Sequence, residues 1–211
     1  MLSHNQIKYI NSLKIKKFRQ QHGTFIVEGE KGVSELLSGP LKTVSIFAMS
    51  DWLSQHELSL QNRNIDYQLI TADELKKISD LVTPNQVLAI AAMPVATLPD
   101  PRTFSGMALA LDGIRDPGNL GTMIRTADWF GIRQIICSAD SVDMYNPKVV
   151  QSTMGSFGRV NVTYTDLQAF FGALPADIPV FGALLQGPDI TVKKFTKAGI
   201  IVIGSESHGI S

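Results

Sequence analysis

The sequence predicts an α/β protein with two domains, and the second domain is expected to hold a parallel sheet. Short apolar strands alternate with amphipathic helical segments along most of the chain. The stretch 93–106 breaks this alternation with three prolines and no hydrophobic period, which is typical of an interdomain linker. We therefore assign the domains to residues 1–95 and 106–211, with 96–105 as the linker. The strands of the second domain are uncharged and rich in β-branched residues, as in a parallel sheet covered by helices on both faces.

The first domain is predicted to open with a basic, amphipathic helical stretch. Its apolar residues recur at near-helical spacing, with lysines among them: Ile7, Ile10, Leu13 and Phe18. Thr71 followed by Glu74 is a capping-box pattern, which predicts that a helix begins there. The other predicted elements, in chain order, are a strand at 24–27, a helix at 31–37, a strand at 43–49, a helix at 51–62, a strand at 65–70, a helix at 71–82 and a strand at 87–93.

The second domain is predicted to be organised around the stretch 107–133. Its apolar strand at 107–111 ends in the polar, turn-rich DGIRDPGN, and an amphipathic helix follows, for which Asn119 has the side chain of a cap. Pro147 directly after Asn146 predicts the start of a helix over 147–158. The remaining predicted elements are strands at 133–138, 160–164, 179–185 and 199–204 and a helix at 165–174.

Composition and motif content exclude several classes of protein. The 211 residues are 44% apolar and 18% charged, which indicates a globular chain, and their 19 basic and 19 acidic side chains cancel. A nucleic-acid surface would therefore need local clustering of charge. The single cysteine, Cys137, excludes a disulfide framework or a cysteine-built zinc site and favours a buried, inert thiol in a reducing compartment. With no signal peptide and no apolar run of about 18 residues, we expect a cytoplasmic protein without a membrane partner.

Three places in the second domain could carry chemistry, and each has a structural alternative. The loop before Asn119 leaves the carboxyl end of a predicted strand, where α/β folds bind ligands, but an ordinary turn followed by a solvated Arg125 would have the same pattern. The small residues of 152–158 also suit close helix packing. The loop 204–209 offers backbone amides and one carboxylate, Glu206. His208 has no second histidine or paired carboxylate beside it, which favours an ordinary loop residue over a metal ligand or an acid-base group.

Common enzyme signatures are missing from the sequence. It contains no glycine-rich dinucleotide fingerprint after the first strand of either half, no Walker lysine motif and no nucleophile elbow. The usual dinucleotide-binding, nucleoside-triphosphatase and esterase interpretations are therefore disfavoured.

Two segments resemble motifs 1 and 2 of the SpoU, or TrmH, family of RNA ribose methyltransferases in the SPOUT superfamily. They are NLGTMIRTADWFG at 119–131 and IVIGSESHGIS at 201–211. The segment FRQQHGTFIVEGEKGVSELL at 18–37 resembles the small L30e-like RNA-binding domain that many of these enzymes carry. The resemblance implies an L30e-like α/β domain followed by a SPOUT-type parallel-sheet domain that ends in a trefoil knot. The family's motif 3, S-x-N-x-(S/A)-x-A, would lie past residue 211, so within 106–211 we expect the knot and the cofactor pocket to be incomplete.

The resemblance implies methylation of a ribose 2′-hydroxyl in structured RNA, with S-adenosylmethionine as cofactor. It implies ribosomal or transfer RNA as the target, with ribosomal RNA favoured, and a homodimer formed through the second domain. The alternative is a non-catalytic RNA-binding protein on the same fold. By resemblance, the catalytic residues are Asn119, Arg125 and Glu206, and the cofactor-binding residues are Leu184, Gly204, Ser205, Glu206, Gly209 and Ile210.

The basic residues expected to bind RNA are Lys14, Lys16, Lys17, Arg19, Lys31 and Arg115. Those of the first domain form a charge cluster suited to phosphate contacts, although a solvated helix face would have the same pattern. We expect no metal site. Because a guanidinium is not readily deprotonated, Arg125 is expected to bind the target's phosphate and stabilise the 2′-oxyanion, and not to serve as the base.

Overall fold

The computed structural model describes residues 1–187, 189 and 196–211. Within these residues the chain forms two compact units. The first comprises Met1–Pro94 and Asp143–Gly158, and the second comprises Val95–Val142 and Arg159–Ser211. The segment 143–158 therefore belongs to the first unit, whereas the sequence-based boundaries assign it to the second domain. No helix in the described part of the chain has both the length and the apolarity of a membrane span.

The first unit is built on a mixed four-stranded sheet. Its elements are α1 (His4–Ser12), α2 (Lys16–His22), β1 (Thr24–Glu28), α3 (Glu30–Ser38), β2 (Thr43–Ala48), α4 (Ser50–Asn62), β3 (Asp66–Leu69), α5 (Ala72–Ile78) and β4 (Val87–Ala92). The strand order is β1-β4-β2-β3, in which β2 and β3 are parallel and β4 is antiparallel to both of its neighbours. The apolar strand at 87–93 predicted from the sequence is thus a central strand, which explains why residues 87–91 are all buried.

Side-chain caps fix the starts of two helices in the first unit. The predicted capping box of Thr71 and Glu74 is confirmed, because each side chain accepts a hydrogen bond from the other residue's backbone amide. The Glu74 carboxylate also accepts a hydrogen bond from the amide of Leu2. The amide donors from Thr71 and Leu2 lower the pKa of Glu74, since they stabilise its charged form. Ser3 and Gln6 form a second capping box at α1.

The second unit contains a five-stranded sheet in which every pairing is parallel. From residue 107 the elements are β5 (Met107–Leu111), α6 (Pro117–Trp129), β6 (Gln134–Ser138), α7 (Pro147–Ser152), β7 (Asn161–Thr165), α8 (Leu167–Gly172), β8 (Val180–Gly182) and β9 (Gly199–Ile203). All except α7 belong to this unit. The strand order is β7-β6-β5-β9-β8, so β5 is the central strand. The predicted parallel sheet is confirmed, and its carboxyl ends share one edge.

Residues 143–158 pack against β1 of the first unit. The rings of Tyr145 and Phe157 lie 4.6 and 5.9 Å from the ring of Phe25, centroid to centroid. Asp143 pairs with the buried Arg19 of α2. Apolar periodicity indicates that a helix buries one face, but it does not indicate which core receives that face. This is why the sequence does not indicate that 143–158 packs with the first unit.

The predicted helix over 147–158 is shorter in the structure. It begins as expected, since the Asn146 side chain accepts a hydrogen bond from the Lys148 amide at 2.9 Å and Pro147 occupies the first position. It ends at Ser152, because Met154 and Gly155 have φ angles of 52° and 102°, outside the α-helical region. A Cβ atom on Gly155 would lie 2.4 Å from the Cγ of Glu35 on α3. This glycine therefore serves close packing, the structural alternative for the small residues of 152–158.

Candidate functional site

The loop after β5 leads into α6 through an aspartate cap. The carboxylate of Asp116 accepts a hydrogen bond from the backbone amide of Asn119 at 2.8 Å, and Pro117 occupies the first helical position. The expectation that Asn119 caps this helix is wrong, because the helix begins earlier and Asp116 supplies the acceptor. The exposed carboxamide of Asn119 lies instead in a cleft at the sheet edge.

The loop after β9 closes on itself through backbone hydrogen bonds. Ser205 and Gly209 exchange two N–H to carbonyl hydrogen bonds, each 2.9 Å long. A Cβ atom on Gly204 would lie 2.0 Å from the carbonyl carbon of Gly209, so this close approach requires glycine. Glu206, Ser207 and His208 form the exposed tip between the paired residues.

A groove of about 1240 Å³ runs along β8, β9 and the residues that follow each strand. We call it the apolar groove, because Leu184, Ile201 and Ile203 contribute to its walls. All six residues expected to bind the cofactor line it: Leu184, Gly204, Ser205, Glu206, Gly209 and Ile210. The structure therefore brings this predicted set together at the carboxyl edge of the sheet.

A second depression of about 340 Å³ lies at the carboxyl ends of β5 and β9. We call it the acidic cleft, since its charged and titratable side chains are Asp112, Arg115, Asp116, Asp140, Glu206 and His208. Asn119 lines the same cleft. The structure thus places Asn119 and Glu206, two of the three predicted catalytic residues, around one cavity together with Arg115.

The wall of the acidic cleft is held in place by Ser138, the last residue of β6, and by the residues that follow it. The Ser138 hydroxyl accepts a hydrogen bond from the Gly113 amide at 2.8 Å, and the Ser141 hydroxyl accepts one from the Ile114 amide at 3.2 Å. Ser138 also donates to Asp140 at 2.7 Å, and Arg115 pairs with Asp140 at 3.0 Å. The hydrogen bond from Ser138, and then the one from Arg115, hold the pKa of Asp140 below its usual range. Asp140 therefore stays ionised and fixes the orientation of Arg115.

Arg125, the third predicted catalytic residue, lines neither the apolar groove nor the acidic cleft. Its side chain is exposed on α6 and forms no hydrogen bond or ion pair with the described residues. Trp129, one helical turn further on, is 85% exposed, and the adjacent Phe130 is 74% exposed. Arg125 is thus free of structural partners on a helix face that also presents a large aromatic side chain.

The basic residues predicted to bind RNA differ in their accessibility. Lys16, Lys17 and Lys31 are exposed, whereas the Lys14 ammonium group pairs with Asp80 at 2.7 Å. Arg19 is 2% exposed; its Nη1 donates to the Leu13 carbonyl at 2.9 Å and its Nε donates to Asp143 at 3.1 Å. Because its guanidinium is buried and already paired, we remove Arg19 from the predicted RNA-binding set.

Residues 106–211 match the SpoU rRNA Methylase family, and residues 4–89 match the MRM3-like substrate binding domain. The chain belongs to the SpoU rRNA methylase family. It is 29% identical over 207 residues to the Bacillus subtilis 23S rRNA (guanosine(2553)-2′-O)-methyltransferase RlmP, with 97% of this chain and 81% of that protein covered. It is 34% identical over 189 residues to the mitochondrial rRNA methyltransferase 3 of Xenopus laevis, covering 86% of this chain but only 45% of that protein.

Solved structures of SpoU and TrmH proteins have the same fold. A TrmH-family protein from Porphyromonas gingivalis superposes with a TM-score of 0.84 at 35% identity, covering 100% of this chain and 84% of that one. An AdoMet-bound rRNA methyltransferase from Sinorhizobium meliloti superposes with a TM-score of 0.83 at 26% identity, covering 100% of this chain and 82% of that one. The resemblance to the SpoU family stated from the sequence is therefore confirmed.

Several residues of the SpoU domain's cleft were missed by the sequence analysis. Asp112, Asp116 and Asp140 line it, and Ser138 holds one wall. A signal for them was available, because 112–116 and 139–141 directly follow two neighbouring strands of a predicted parallel sheet. Residues at such positions converge on one edge, so polar side chains there were candidates from the strand pattern alone.

Proposed function

We propose that this chain transfers a methyl group from S-adenosylmethionine to a ribose 2′-hydroxyl of ribosomal RNA. The observation that carries the proposal is the meeting of the apolar groove and the acidic cleft at one wall, residues 205–209. Methyl transfer requires a donor site next to a site for the acceptor. The relatives named as rRNA methyltransferases, and the AdoMet-bound structure with the same fold, support this assignment.

The residues of the apolar groove suit S-adenosylmethionine. Leu184, Ile201 and Ile203 offer apolar surface to an adenosine. The loop after β9 contributes the Glu206 carboxylate, whose negative charge would attract the cationic sulfonium. The volume is sufficient for a ligand of this size. When bound, S-adenosylmethionine supplies an electrophilic methyl group on a sulfonium. The chain's own residues must position the acceptor and manage the charge that develops on its oxygen.

We propose distinct roles for the three catalytic residues. The Asn119 carboxamide, left free because Asp116 caps α6, orients the ribose in the acidic cleft. Glu206 lines both depressions, so its carboxylate is placed to hold the bound donor and acceptor together. Arg125 lines neither depression, so its proposed contact with the target's phosphate and with the 2′-oxyanion would form only when RNA is bound; its exposed guanidinium is permanently charged and unpaired within the described part of the chain.

We propose that residues 1–95 bind structured RNA through Lys14, Lys16, Lys17 and Lys31, and that Arg115 contacts RNA at the acidic cleft. Residues 96–105 link this region to the methyltransferase domain at 106–211. The match of 4–89 to a substrate binding domain supports the first assignment. Phosphate contacts by these cations would make binding salt-dependent.

We also propose a homodimer that forms through the second domain. Trp129 and Phe130, which are 85% and 74% exposed at the end of α6, form an apolar surface that a second copy would cover. Sedimentation equilibrium tests this directly. Replacing Trp129 and Phe130 together with aspartate should convert a dimer to a monomer, whereas a double variant that stays dimeric places the interface elsewhere.

The compartment that we propose is the cytoplasm. Cys137 is buried, and burial raises the pKa of its thiol to about 12. A chain with one buried thiol and no disulfide suits a reducing environment.

Transfer of a radiolabelled methyl group to unmodified 23S rRNA transcripts tests the proposed activity. We expect alkali-resistant label in the ribose of the rRNA, little label in transfer RNA, and loss of label in the double variant Asn119→Ala, Glu206→Gln. RNA binding without any methyl transfer would favour the alternative, a non-catalytic RNA-binding protein on the SpoU fold.

A further inference from the structure

His208 lies where the two depressions of the second unit meet. Residues 205–209 line both the apolar groove and the acidic cleft, and within this shared wall only Glu206 and His208 have titratable side chains. If the donor occupies the groove and the ribose occupies the cleft, the reacting atoms meet at this wall. The sequence alone favoured an ordinary loop residue, but the location gives this histidine access to both ligands.

Two hydrogen bonds involve His208, one from its backbone amide and one at its imidazole ring. Its backbone amide donates to the Ser205 hydroxyl at 3.1 Å, and its Nδ1 lies 2.7 Å from the Ser207 hydroxyl. When Nδ1–H donates to Ser207, the lone pair of the neutral ring is on Nε2. Within the described residues Nε2 has no hydrogen-bond partner, and the side chain is exposed. In this tautomer the nitrogen that can accept a proton is accessible to a ligand.

The surroundings of His208 are rich in negative charge on one side. The charged groups that line the acidic cleft with it are Asp112, Arg115, Asp116, Asp140 and Glu206. Arg115 is paired with Asp140 at 3.0 Å, Asp116 accepts a hydrogen bond from the Asn119 amide, and Asp112 accepts one from the Ser211 amide. The cleft therefore holds four carboxylates and one guanidinium besides His208. On the groove side, the described lining residues other than Glu206 and His208 carry no titratable group. A positive charge formed on the imidazole would thus face carboxylates.

We propose that Nε2 of His208 accepts the proton of the ribose 2′-hydroxyl during methyl transfer, an inference that rests on the proposed function. The 2′-oxygen forms its bond to the methyl carbon as the carbon–sulfur bond breaks, the electron pair of that bond stays on sulfur, and the proton goes to Nε2. An imidazole is the side-chain base available near neutral pH, whereas the Arg125 guanidinium is not. Arg125 then stabilises the oxyanion while His208 removes the proton.

The pH dependence of single-turnover methyl transfer to a 23S rRNA transcript tests the proton acceptor. The wild-type rate should rise with pH through one ionisation, that of the proton acceptor. His208→Gln should lose this ionisation and about 100-fold or more of the rate, while binding S-adenosylmethionine normally by calorimetry. His4→Gln, at an exposed histidine of the first unit, should keep the wild-type profile. Retention of the ionisation in His208→Gln and its loss in Glu206→Gln would assign the proton to Glu206 and overturn the proposal.

Nitrogen chemical shifts of ¹⁵N-labelled histidine provide a readout that does not depend on activity. In the wild-type protein, the neutral form of the His208 ring should carry its hydrogen on Nδ1 and none on Nε2. Ser207→Ala should shift this tautomer balance, since it removes the partner of Nδ1. A ring protonated on Nε2 in the wild-type protein would overturn the proposal.

Failure of the inference can be separated from failure of the proposed function. An active His208→Gln enzyme with the wild-type pH profile removes His208 from the chemistry and leaves methyl transfer intact. A wild-type protein that binds RNA but transfers no methyl group overturns the proposed function, and the inference falls with it.

Discussion

The carboxylate of Asp116 accepts a hydrogen bond from the backbone amide of Asn119 at 2.8 Å. Asp116 therefore caps the helix, and the side chain of Asn119 is available for the site. Asp116 satisfies a free amide at the start of α6. Asn119 is then not needed as a cap, and its carboxamide lies in the acidic cleft. Residues three positions apart therefore serve the helix and the site separately.

These separate roles predict that one alanine substitution lowers stability and the other lowers methyl transfer. Asp116→Ala should lower the free energy of unfolding by about 1 kcal/mol, the usual loss for an aspartate cap. Asn119→Ala should leave the free energy of unfolding within about 0.5 kcal/mol and reduce methyl transfer instead. Urea denaturation and single-turnover assays on both variants measure the two quantities. A stability loss in Asn119→Ala equal to that in Asp116→Ala would mean that both side chains support the helix.

The parts of this fold that follow from local pattern were predictable from the sequence. The capping box of Thr71 and Glu74 depends on two side chains and the backbone between them, so it is visible in a short window. The parallel sheet of the second unit follows from uncharged strands that alternate with helices. The cofactor-binding set came from the SpoU resemblance, and the structure groups it in one groove.

Features that depend on tertiary partners were not predictable in this way. A fully apolar strand such as β4 has no polar face, so its pattern does not reveal that it runs antiparallel to β1 and β2. The packing of 143–158 with the first unit depends on which core receives Tyr145 and Phe157. Arg19 resembles its lysine neighbours in sequence, and its burial depends on two partners, the distant Asp143 carboxylate and the Leu13 carbonyl.

The burial of Arg19 predicts that it stabilises the first unit and does not contact RNA. Arg19→Met should lower the free energy of unfolding by about 3–5 kcal/mol, because it leaves the Asp143 carboxylate, whose side chain is 14% exposed, without its cation. Urea denaturation measures this loss. RNA affinity of the folded variant should keep its salt dependence.

Lys17→Met is the matched control, since Lys17 is an exposed cation on the same helix, α2. It should change the free energy of unfolding by less than about 0.5 kcal/mol, and it should reduce the slope of log affinity against log salt by about 0.7–0.9. If Arg19→Met reduced the salt slope as much as Lys17→Met, the ion pair between Arg19 and Asp143 would have to break so that Arg19 contacts RNA.

Burial of Cys137 predicts a thiol that is unreactive in the folded protein. Its pKa is raised to about 12 by burial, so almost no thiolate exists at about pH 8. Mass spectrometry after treatment with a maleimide should show slow labelling in buffer and complete labelling in guanidinium chloride. Rapid labelling under native conditions would instead show that local unfolding of β6 exposes the Cys137 thiol.

The exposed position of Arg125 predicts that its substitution affects turnover and not folding. Arg125→Ala removes no hydrogen bond or ion pair within the described residues, and alanine is the better helix former, so the melting temperature should not fall. Methyl transfer should fall by about 100-fold or more, the usual loss when one charge-stabilising donor is removed. Arg125→Lys keeps the charge but loses the planar fork, so a large defect indicates bidentate positioning and a mild defect indicates simple charge attraction.

Arg102→Ala provides the control for loss of an exposed arginine. Arg102 is 80% exposed and pairs with Asp100 in the linker, outside both the apolar groove and the acidic cleft, so its loss should leave single-turnover rates unchanged. Thermal unfolding of the wild type and of all three variants should accompany the rate measurements. A lowered melting temperature with normal activity per folded molecule would make Arg125 a structural residue. Near-normal turnover in Arg125→Ala at an unchanged melting temperature would remove Arg125 from the catalytic set. The oxyanion would then need another donor in the acidic cleft, where Arg115 is the nearest cation to Asn119 in sequence.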